Sequence, residues 1–467
     1  MSPAATGLVT LEQGISKVRE IALKARAASR VLAPLNADRR NDALRAIATS
    51  LASASERLFA ANAEDLRTLA EMTADESTAR ATRARLKLDR EKLTEMIAQV
   101  RSVAALPDPL GLVLDAMELD DDDPASESRA TRQNVNHGLH LQKISVPLGL
   151  LAVIFEARPD AVTQIAALAL KSGNAVILKP GREVERTAQA LVDILRETLQ
   201  GEGLPEDAIS LILGREQVEQ LLRAHDLVDM VIPRGSKALV EYVRDNTRIP
   251  VLGHSEGVCH IYVDRAADMD QALRVIADAK ADYPAACNAV ETVLVHRDIV
   301  PTFVPRLLED LHRRGIRVHG DADVQATLAA AHVESVAPVK DWHTEFGELE
   351  LAIGVVPSLE AAIDHIHTHG SSHTESILTE DVEAAEKFLR EVDAAGVFHN
   401  ASTRFADGFR YGFGAEVGIS TSKFHARGPV GLDGLTTYKY VLRGHGHAAG
   451  DYRGPDARTF THRRETS

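Results

Sequence analysis

The sequence predicts an α/β protein of two lobes, each built on a parallel sheet, with a small β-ribbon element added. Three observations carry that expectation. Between residues 149 and 246, short apolar runs alternate with helical segments. A second series of the same kind runs from Ile261 to about Val397. Two further stretches, 129–146 and 436–442, read as extended chain outside both series. Apolar runs separated by helices indicate βαβ units, whose strands are buried on both faces. Such a sheet takes nucleotides at the carboxyl ends of its strands. With 467 residues, 45% of them hydrophobic and 26% charged, the chain has the length of two or three ordinary globular domains.

The first hundred residues read as helices. Apolar positions recur at helical spacing over Leu11–Ala28 (Ile15, Val18, Ile21, Ala22), and Arg39–Leu66 and Arg90–Val103 repeat the pattern until Pro107 and Pro109 break it. Four consecutive aspartates, Asp120–Asp123, read as a solvated loop, because adjacent carboxylates point in different directions. The weak alternation of Val135, Leu139, Leu141 and Ile144 predicts a ribbon over 129–146. In the first α/β series the strands are Leu150–Phe155, Ala175–Leu178, Ile209–Leu213 and Val228–Ile232, with helices at Ala161–Lys171, Glu183–Thr198, Gln217–His225 and Ser236–Asn246. The second series has its runs at His260–Val263, Thr292–Val295, Leu351–Val355 and Ile377–Leu378. A glycine-rich tail from Arg404 leads to an expected strand at Thr436–Leu442, and no internal repeat of fixed period is present.

Several function classes fall on composition. Lys plus Arg is 53 against 68 for Asp plus Glu, a formal charge of −15. That balance argues against nucleic acid or an anionic membrane as the main partner. The apolar stretch Val146–Phe155 is about half a membrane span, and the N-terminus lacks the basic region and apolar run of a secretory signal. Two cysteines, Cys259 and Cys287, make neither a disulfide framework nor a zinc set, so a reducing cytoplasm is the expected compartment.

Cys287 lies in Tyr283-Pro-Ala-Ala-Cys-Asn-Ala289, between a helix and the strand that begins near Thr292, where a turn presents a nucleophile. A thiol attacks only as thiolate, and backbone N–H groups of such a turn both favour that form and hold an oxyanion. The bland alternative is a small buried hydrophobe; for Cys259, entering an apolar strand, burial is the expectation. Pro233-Arg-Gly235-Ser236 sits between a strand and a helix, where a helix N-terminus offers free N–H groups to a phosphate or is simply capped. The GxGxxG fingerprint is absent from the expected strand–helix turns. Lys179, with Pro180-Gly181-Arg182 after it, puts two cations at the carboxyl end of a strand. Arg182 suits a 2′-phosphate, which favours NADP over NAD, and a solvated surface pair is the alternative. Glu156-Ala-Arg158-Pro-Asp160 crowds three charges onto the end of a buried run and suggests a site role. His365, His367, His369 and His373 look metallic at first, yet no acidic third ligand accompanies them, and no metal is expected.

Together these residues resemble the gamma-glutamyl phosphate reductase family of the aldehyde dehydrogenase superfamily. The likeness runs from about residue 12 to 447 and rests on PLGLLAVIFEARPDA (147–161), KSGNAVILK (171–179), IPRGS (232–236), CHIYVD (259–264), CNAVETVLVH (287–296), VPSLEAAIDHIHTHGSSHTESI (356–377) and GAEVGISTSKFHARGPVGLDGLTTYKYVLRGHG (414–446). The resemblance implies an aldehyde dehydrogenase-like α/β fold with two Rossmann-like domains. Residues 1–128 and 147–260 would form an NADP-binding domain, 261–430 a catalytic domain, and 129–146 with 431–446 a ribbon for oligomerisation. It implies Cys287 as the nucleophile that takes the acyl group of gamma-glutamyl phosphate as a thioester, reduced by NADPH to glutamate 5-semialdehyde in proline biosynthesis. Asn288 would assist at the oxyanion. Lys179 and Arg182 would meet the adenosine end of the cofactor, Gly235 and Ser236 its pyrophosphate, and Glu345, in Thr344-Glu-Phe-Gly347, the nicotinamide ribose. Glu156, Arg158, Ser402 and Arg404 would hold the substrate's amino and carboxylate groups. The histidine-rich helix is then a family signature near the substrate pocket.

Some positions depart from the superfamily. The glutamate that activates water in hydrolytic members aligns with Gly253, and their oxyanion asparagine falls near Ala157. Both losses fit a thioester exchanged with phosphate, which is already an anionic nucleophile at pH 7. Pro180 stands where the family often has a second glycine. The kinase fused to some relatives is not expected here, so the substrate would come from a separate glutamate kinase, and a homodimer or larger assembly is implied. A coenzyme A-dependent acylating dehydrogenase and a silent NADP-binding scaffold are the alternative readings.

Overall fold

The computed structural model describes residues 3–72, 82–83, 85–120, 138–156, 158–253, 256–455 and 457–464. The chain divides into two compact units, Met1–Met230 with Leu432–Ser467, and Val231–Gly431.

The first unit opens with helices, among them α1 (Pro3–Leu32), α2 (Ala37–Ser53), α3 (Ser55–Met72) and α4 (Arg90–Ala105). The stripe Val18, Ala22, Ala25 and Leu32 of α1 is fully buried, as its spacing requires. Asn36 caps α2 and Asp89 caps α4, each accepting a backbone N–H three residues on. The single helix expected over Arg39–Leu66 is two, interrupted at Ala54. Strand β1 (Val113–Asp120) follows, then β2 (Leu139–Pro147), β3 (Leu150–Phe155), α5 (Pro159–Lys171), β4 (Ala175–Lys179), α6 (Glu185–Gly201), β5 (Ile209–Leu211) and α7 (Glu216–Leu222). β3, β4 and β5 pair in parallel, and every residue of β3 is buried.

The ribbon elements meet in a separate antiparallel sheet. β2 pairs with β1 on one side and with Thr436–Arg443 on the other, and Arg463–Arg464 closes the far edge. Residues 129–137 of the expected ribbon lie outside the described residues. β1 was not expected. Its first half exposes Val113 and Leu114, so no buried alternation marks it. The solvated-loop reading fails at Asp120, a buried strand residue that accepts from Tyr452 Oη (2.8 Å) and pairs with Arg458 Nε (2.7 Å). Asp121–Asp123 lie outside the described residues.

Polar struts align the parallel strands. Asn174 Oδ1 accepts from Gly149 N (2.7 Å), and its Nδ2 donates to Leu435 O (2.8 Å). Asp229 Oδ2 accepts from Leu150 N (2.7 Å) and pairs with Arg26. Gly149 has φ +127° and lies so close to Asp229 that a Cβ would fall 2.3 Å from the carboxylate.

β6 (Met230–Arg234) leads into the second unit. There α8 (Lys237–Asp245), β7 (Cys259–Val263), α9 (Met269–Ala281), β8 (Val290–His296), α10 (Val300–Arg313), β9 (Arg317–Gly320), α11 (Ala322–Ala330), β10 (Ala337–Pro338), β11 (Glu350–Val356), α12 (Leu359–His369), β12 (Thr374–Leu378), α13 (Val382–Glu391) and β13 (Gly396–His399) succeed one another. Seven strands form one parallel sheet in the order β10-β9-β11-β8-β7-β12-β13. All four apolar runs expected here fall within its central strands. The expectation missed β9, β10 and β13, which lie at or next to the edges. Ile261, Val263, Val293, Val295 and Ile353 pack against Phe303, Leu307 and Leu311 of α10, a fully buried core that holds the strand ends still.

Candidate active site

Cys287 lies in the turn between α9 and β8, at the amino edge of the second unit's sheet. Two local bonds shape the turn, Ala286 N to Tyr283 O (3.1 Å) and Ala289 N to Ala286 O (2.9 Å). The residue is partly exposed. Burial of the sulfur pushes the thiol up to about 12, and the carboxylates of Glu345 and Glu416 push the same way; the residue's own backbone N–H and Arg404 pull it down.

The turn rests directly on the chain entering β7. A Cβ on Gly257 would fall 1.9 Å from Cys287 O and 2.6 Å from its Cα, so only glycine fits there. Cys259, fully buried as expected, donates its thiol to Cys287 O at 3.3 Å and has His373 Nδ1 at 3.8 Å. Burial raises the Cys259 thiol well above its ordinary value.

On its other flank the turn is tied to the segment 402–410. Asn288, 3% exposed, donates through Nδ2 to Ala406 O (2.9 Å) and accepts from the Arg404 guanidinium. Arg404 also pairs through Nε with Asp282 Oδ2 (3.1 Å), the same oxygen that Arg410 reaches (2.9 Å) while donating to Arg404 O (2.7 Å). Ser402, buried, accepts from Arg404 N (3.3 Å). The structure thus brings Cys287, Asn288, Ser402 and Arg404 together, with Asn288 and Arg404 committed as struts.

Glu345 is exposed, in a stretch without regular structure after β10. Its charge acts on Cys287, Lys237 and Lys280. Behind it, Lys280 Nζ and Glu291 Oε2 form a fully buried pair at 2.7 Å, and the same oxygen accepts from Phe346 N at 3.2 Å. Burial pushes the Glu291 carboxyl up to about 7 against the pull of Lys280.

Gly235 and Ser236 follow β6, and Ser236 is the N-cap residue of α8, with no side-chain cap bond; its carbonyl accepts from Leu239 N (3.0 Å) and Val240 N (3.1 Å), and a helix N-terminus of this kind suits an anion. Lys237 at the first helical position pairs with Glu256. Gly253 has ordinary room for a Cβ, 3.5 Å from Pro233, so the missing side chain there is not a steric demand. Ala157 lies outside the described residues.

In the first unit, Lys179 is opposite Ile154 in the β3–β4 register, which sets Glu156 beside it at the carboxyl ends of both strands. Burial lowers the Lys179 ammonium, countered by Glu185, Glu183 and Glu156. Arg182 is exposed and opens the turn Arg182–Val184. Arg158, just ahead of α5, pairs with Asp160 (3.3 Å), which Lys92 also reaches (3.3 Å).

His365 and His369 of α12 meet aromatic neighbours edge-on or tilted. His365 meets His260, Trp342 and His369 at ring distances of 5.5, 4.8 and 4.6 Å. Burial, then the other histidines, push its imidazole down to about 3. His260 in turn holds Glu375 at 3.1 Å, both fully buried. Among the described residues, no group of three or more His, Cys, Asp or Glu side chains is arranged to hold a metal ion.

Sequence reasoning missed Gly257, Glu416, Asp282 and the Lys280–Glu291 pair. For Glu291 the signal was present: a lone carboxylate inside the apolar strand Val290–His296, which burial permits only with a partner.

The sequence profile described as the aldehyde dehydrogenase family matches residues 125–345. The gamma-glutamyl phosphate reductase of Cyanothece sp. is 51% identical over 95% of this chain and 97% of its own length, and gamma-glutamyl phosphate reductase 1 of Synechocystis sp. is 47% identical over 97% and 99%. The crystal structure of gamma-glutamyl phosphate reductase from Thermotoga maritima superposes with a TM-score of 0.85 at 38% identity, covering 92% of this chain and 99% of that one. An acetylating aldehyde dehydrogenase from Geobacillus thermoglucosidasius shares the fold at 18% identity and TM-score 0.61, covering 94% of this chain and 99% of its own.

The raised Cys287 thiol has a measurable consequence in ligand-free protein. Iodoacetamide labelling of the peptide carrying Cys287, followed by mass spectrometry, should accelerate about tenfold per pH unit from pH 7 to 10 with no plateau, because only the thiolate reacts. A plateau near pH 8 to 9 would show an ordinary thiol.

Proposed function

We propose, for a chain that belongs to the gamma-glutamyl phosphate reductase family of aldehyde dehydrogenases, that it reduces gamma-glutamyl phosphate to glutamate 5-semialdehyde and phosphate, with NADPH as the reductant. The reaction would serve proline biosynthesis, with substrate from a separate glutamate kinase. The observation that carries the reading is a partly exposed Cys287 on a turn braced by Gly257 beneath and by Asn288 and Arg404 at its side.

In this reading the Cys287 thiol passes its proton to the departing phosphate, its sulfur bonds to the acyl carbon as the bond from that carbon to phosphate oxygen breaks, and a thioester is left on the chain. The backbone N–H of Cys287, with the second amide hydrogen of Asn288, holds the oxygen that becomes negative. When bound, NADPH would supply the hydride that reduces the thioester carbon, and Cys287 would then release the aldehyde as its carbon–sulfur bond breaks and its sulfur is reprotonated. Gly253, where a Cβ would meet only ordinary contacts, leaves no carboxylate at that position to activate water.

The N-terminus of α8, with no side-chain cap bond, suits a pyrophosphate, and we assign Gly235 and Ser236 to it. Lys179, at a strand's carboxyl end, is assigned to the adenosine ribose, Arg182 to a 2′-phosphate, and Glu345 to the nicotinamide ribose. For the substrate's charged ends we assign Glu156, Arg158, Ser402 and Arg404. Arg404 has five N–H donors, more than Asp282 and Asn288 consume.

We also infer a homo-oligomer. Thr436–Arg443 is an edge strand that exposes Tyr438, Tyr440 and Leu442 at alternate positions of one face, a surface suited to a second copy. Among the described residues no helix is long and apolar enough to cross a membrane, and we assign the protein to the cytoplasm.

Three experiments test these assignments. In the oxidative direction, with glutamate 5-semialdehyde, NADP reduction should require inorganic phosphate and ignore coenzyme A, and Cys287→Ser should abolish turnover while NADPH binding by fluorescence persists; dependence on coenzyme A, or an active serine variant, overturns the reading. Arg182→Ala should weaken NADPH by about 1.5–3 kcal/mol, the value of a charge-assisted bond, and leave NADH nearly unchanged, so equal losses refute the 2′-phosphate contact. Tyr440→Glu should lower the sedimentation mass, and an unchanged mass refutes that face as the interface.

A further inference from the structure

The Cys287 turn and the Glu345 segment are joined by a group that the proposed chemistry does not use. Lys280 stands at the end of α9, and Glu291 is the second residue of β8, so the two flank the turn that carries Cys287. Their side chains meet at 2.7 Å with no exposure of either. Glu291 Oε2 has a second donor, Phe346 N at 3.2 Å, and Phe346 is the neighbour of Glu345. The Phe346 ring stacks on His319 at 5.0 Å, so the segment is held by backbone and ring together. The other oxygen, Glu291 Oε1, is buried without a hydrogen-bond partner among the described residues.

A fully buried ion pair is an expensive way to hold a fold, since apolar residues of the same volume often serve as well or better. A carboxylate there has one property a leucine lacks: it binds a backbone N–H from a third segment. We propose that Lys280–Glu291 is a positioning pair that keeps the Glu345 segment in fixed register with the Cys287 turn. Lys280 orients the carboxylate from the helix side, and the carboxylate clamps Phe346 N–H. The clamp sets where the Glu345 charge stands relative to the sulfur. The inference gives purpose to a residue of the proposed reduction and rests on that reading only for what Glu345 does there; the placement itself is independent of it.

The test therefore uses ligand-free protein and the alkylation rate of Cys287 at fixed pH 8, which senses the Glu345 charge because each unit of thiol pKa is tenfold in thiolate. Glu345→Gln should speed alkylation several-fold. Lys280→Met with Glu291→Leu removes both buried charges at similar volume and frees Phe346 N–H; it should speed alkylation to the same extent, and adding Glu345→Gln to it should produce no further gain. Glu291→Gln, which retains an acceptor for Phe346 N–H, should stay within about twofold of the native rate. Native-rate alkylation in the double variant, or acceleration that multiplies with Glu345→Gln, overturns the proposal. If the double variant does not fold, Phe346→Pro deletes the donor and leaves the pair intact, with Phe346→Ala, which keeps the N–H and loses only the ring, as its control: acceleration beyond the alanine variant supports the clamp, and equal rates in the two overturn it. Because no cofactor or substrate is present, a failure here is separate from a failure of the reductase reading, which the phosphate and coenzyme A assay decides.

Discussion

The contact between Gly257 and Cys287 is the constraint from which the catalytic turn follows. Backbone touches backbone there with no space for a methyl group. The start of β7 thus becomes the floor on which the turn is laid, and the thiol of Cys259 adds a bond from the same floor to the carbonyl of the nucleophile's own residue. A turn joined to its sheet only through its two ends would fray. This one is held from beneath by β7, from the side by Asn288 and Arg404, and at both ends by Lys280 and Glu291. Oxyanion stabilisation by a backbone N–H requires that rigidity, because the donor must already point where charge develops.

The electrostatics around the sulfur run against easy ionisation. Two carboxylates, Glu345 and Glu416, act on a thiol already penalised by burial, and Arg404 is the cation opposing them. Yet Arg404 has its own debts to Asp282 and Asn288. The resting protein therefore keeps Cys287 protonated, which protects it from adventitious alkylation and oxidation. In the proposed reaction this makes nucleophilicity a property of the loaded site and not of the bare chain.

Much of this arrangement was legible in the residues. Strands buried on both faces announce themselves as apolar runs, unbroken in β3 and near-continuous in β4, β7 and β11, while β8 and β12 show only their apolar halves, Thr292–Val295 and Ile377–Leu378. Cys287 stood out by its rarity and its turn. Other parts were illegible for physical reasons. β1 has a solvent-facing first half, so period-two burial is absent from it. The demand for glycine at 257 comes from a strand entry and a turn separated along the chain, and no local pattern encodes their contact. The commitment of Asn288 and Arg404 to each other depends on residues far apart in sequence that only the tertiary fold brings together. Glu291 and Glu375 belong to an intermediate class. A carboxylate inside an apolar strand signals a hidden partner, while which partner, Lys280 or His260, is settled by neighbouring elements of the folded unit.

Gly253 bears on chemistry by subtraction. At the position expected to match the water-activating carboxylate of hydrolytic relatives, this chain has a glycine at which a Cβ would meet Pro233 only at ordinary contact distance, 3.5 Å. A glycine forced by crowding would say nothing about mechanism, since any side chain would be excluded. A glycine with room for a Cβ is different, because the absence of a base is then not a by-product of packing. Thioesters survive in water for as long as nothing activates the water beside them, and a site without that carboxylate leaves the thioester to react with a hydride in one direction or with phosphate in the other. Phosphate needs no base, being an anion at neutral pH. A position without a carboxylate thus suits both directions of the proposed reaction and disfavours the hydrolysis that would drain it.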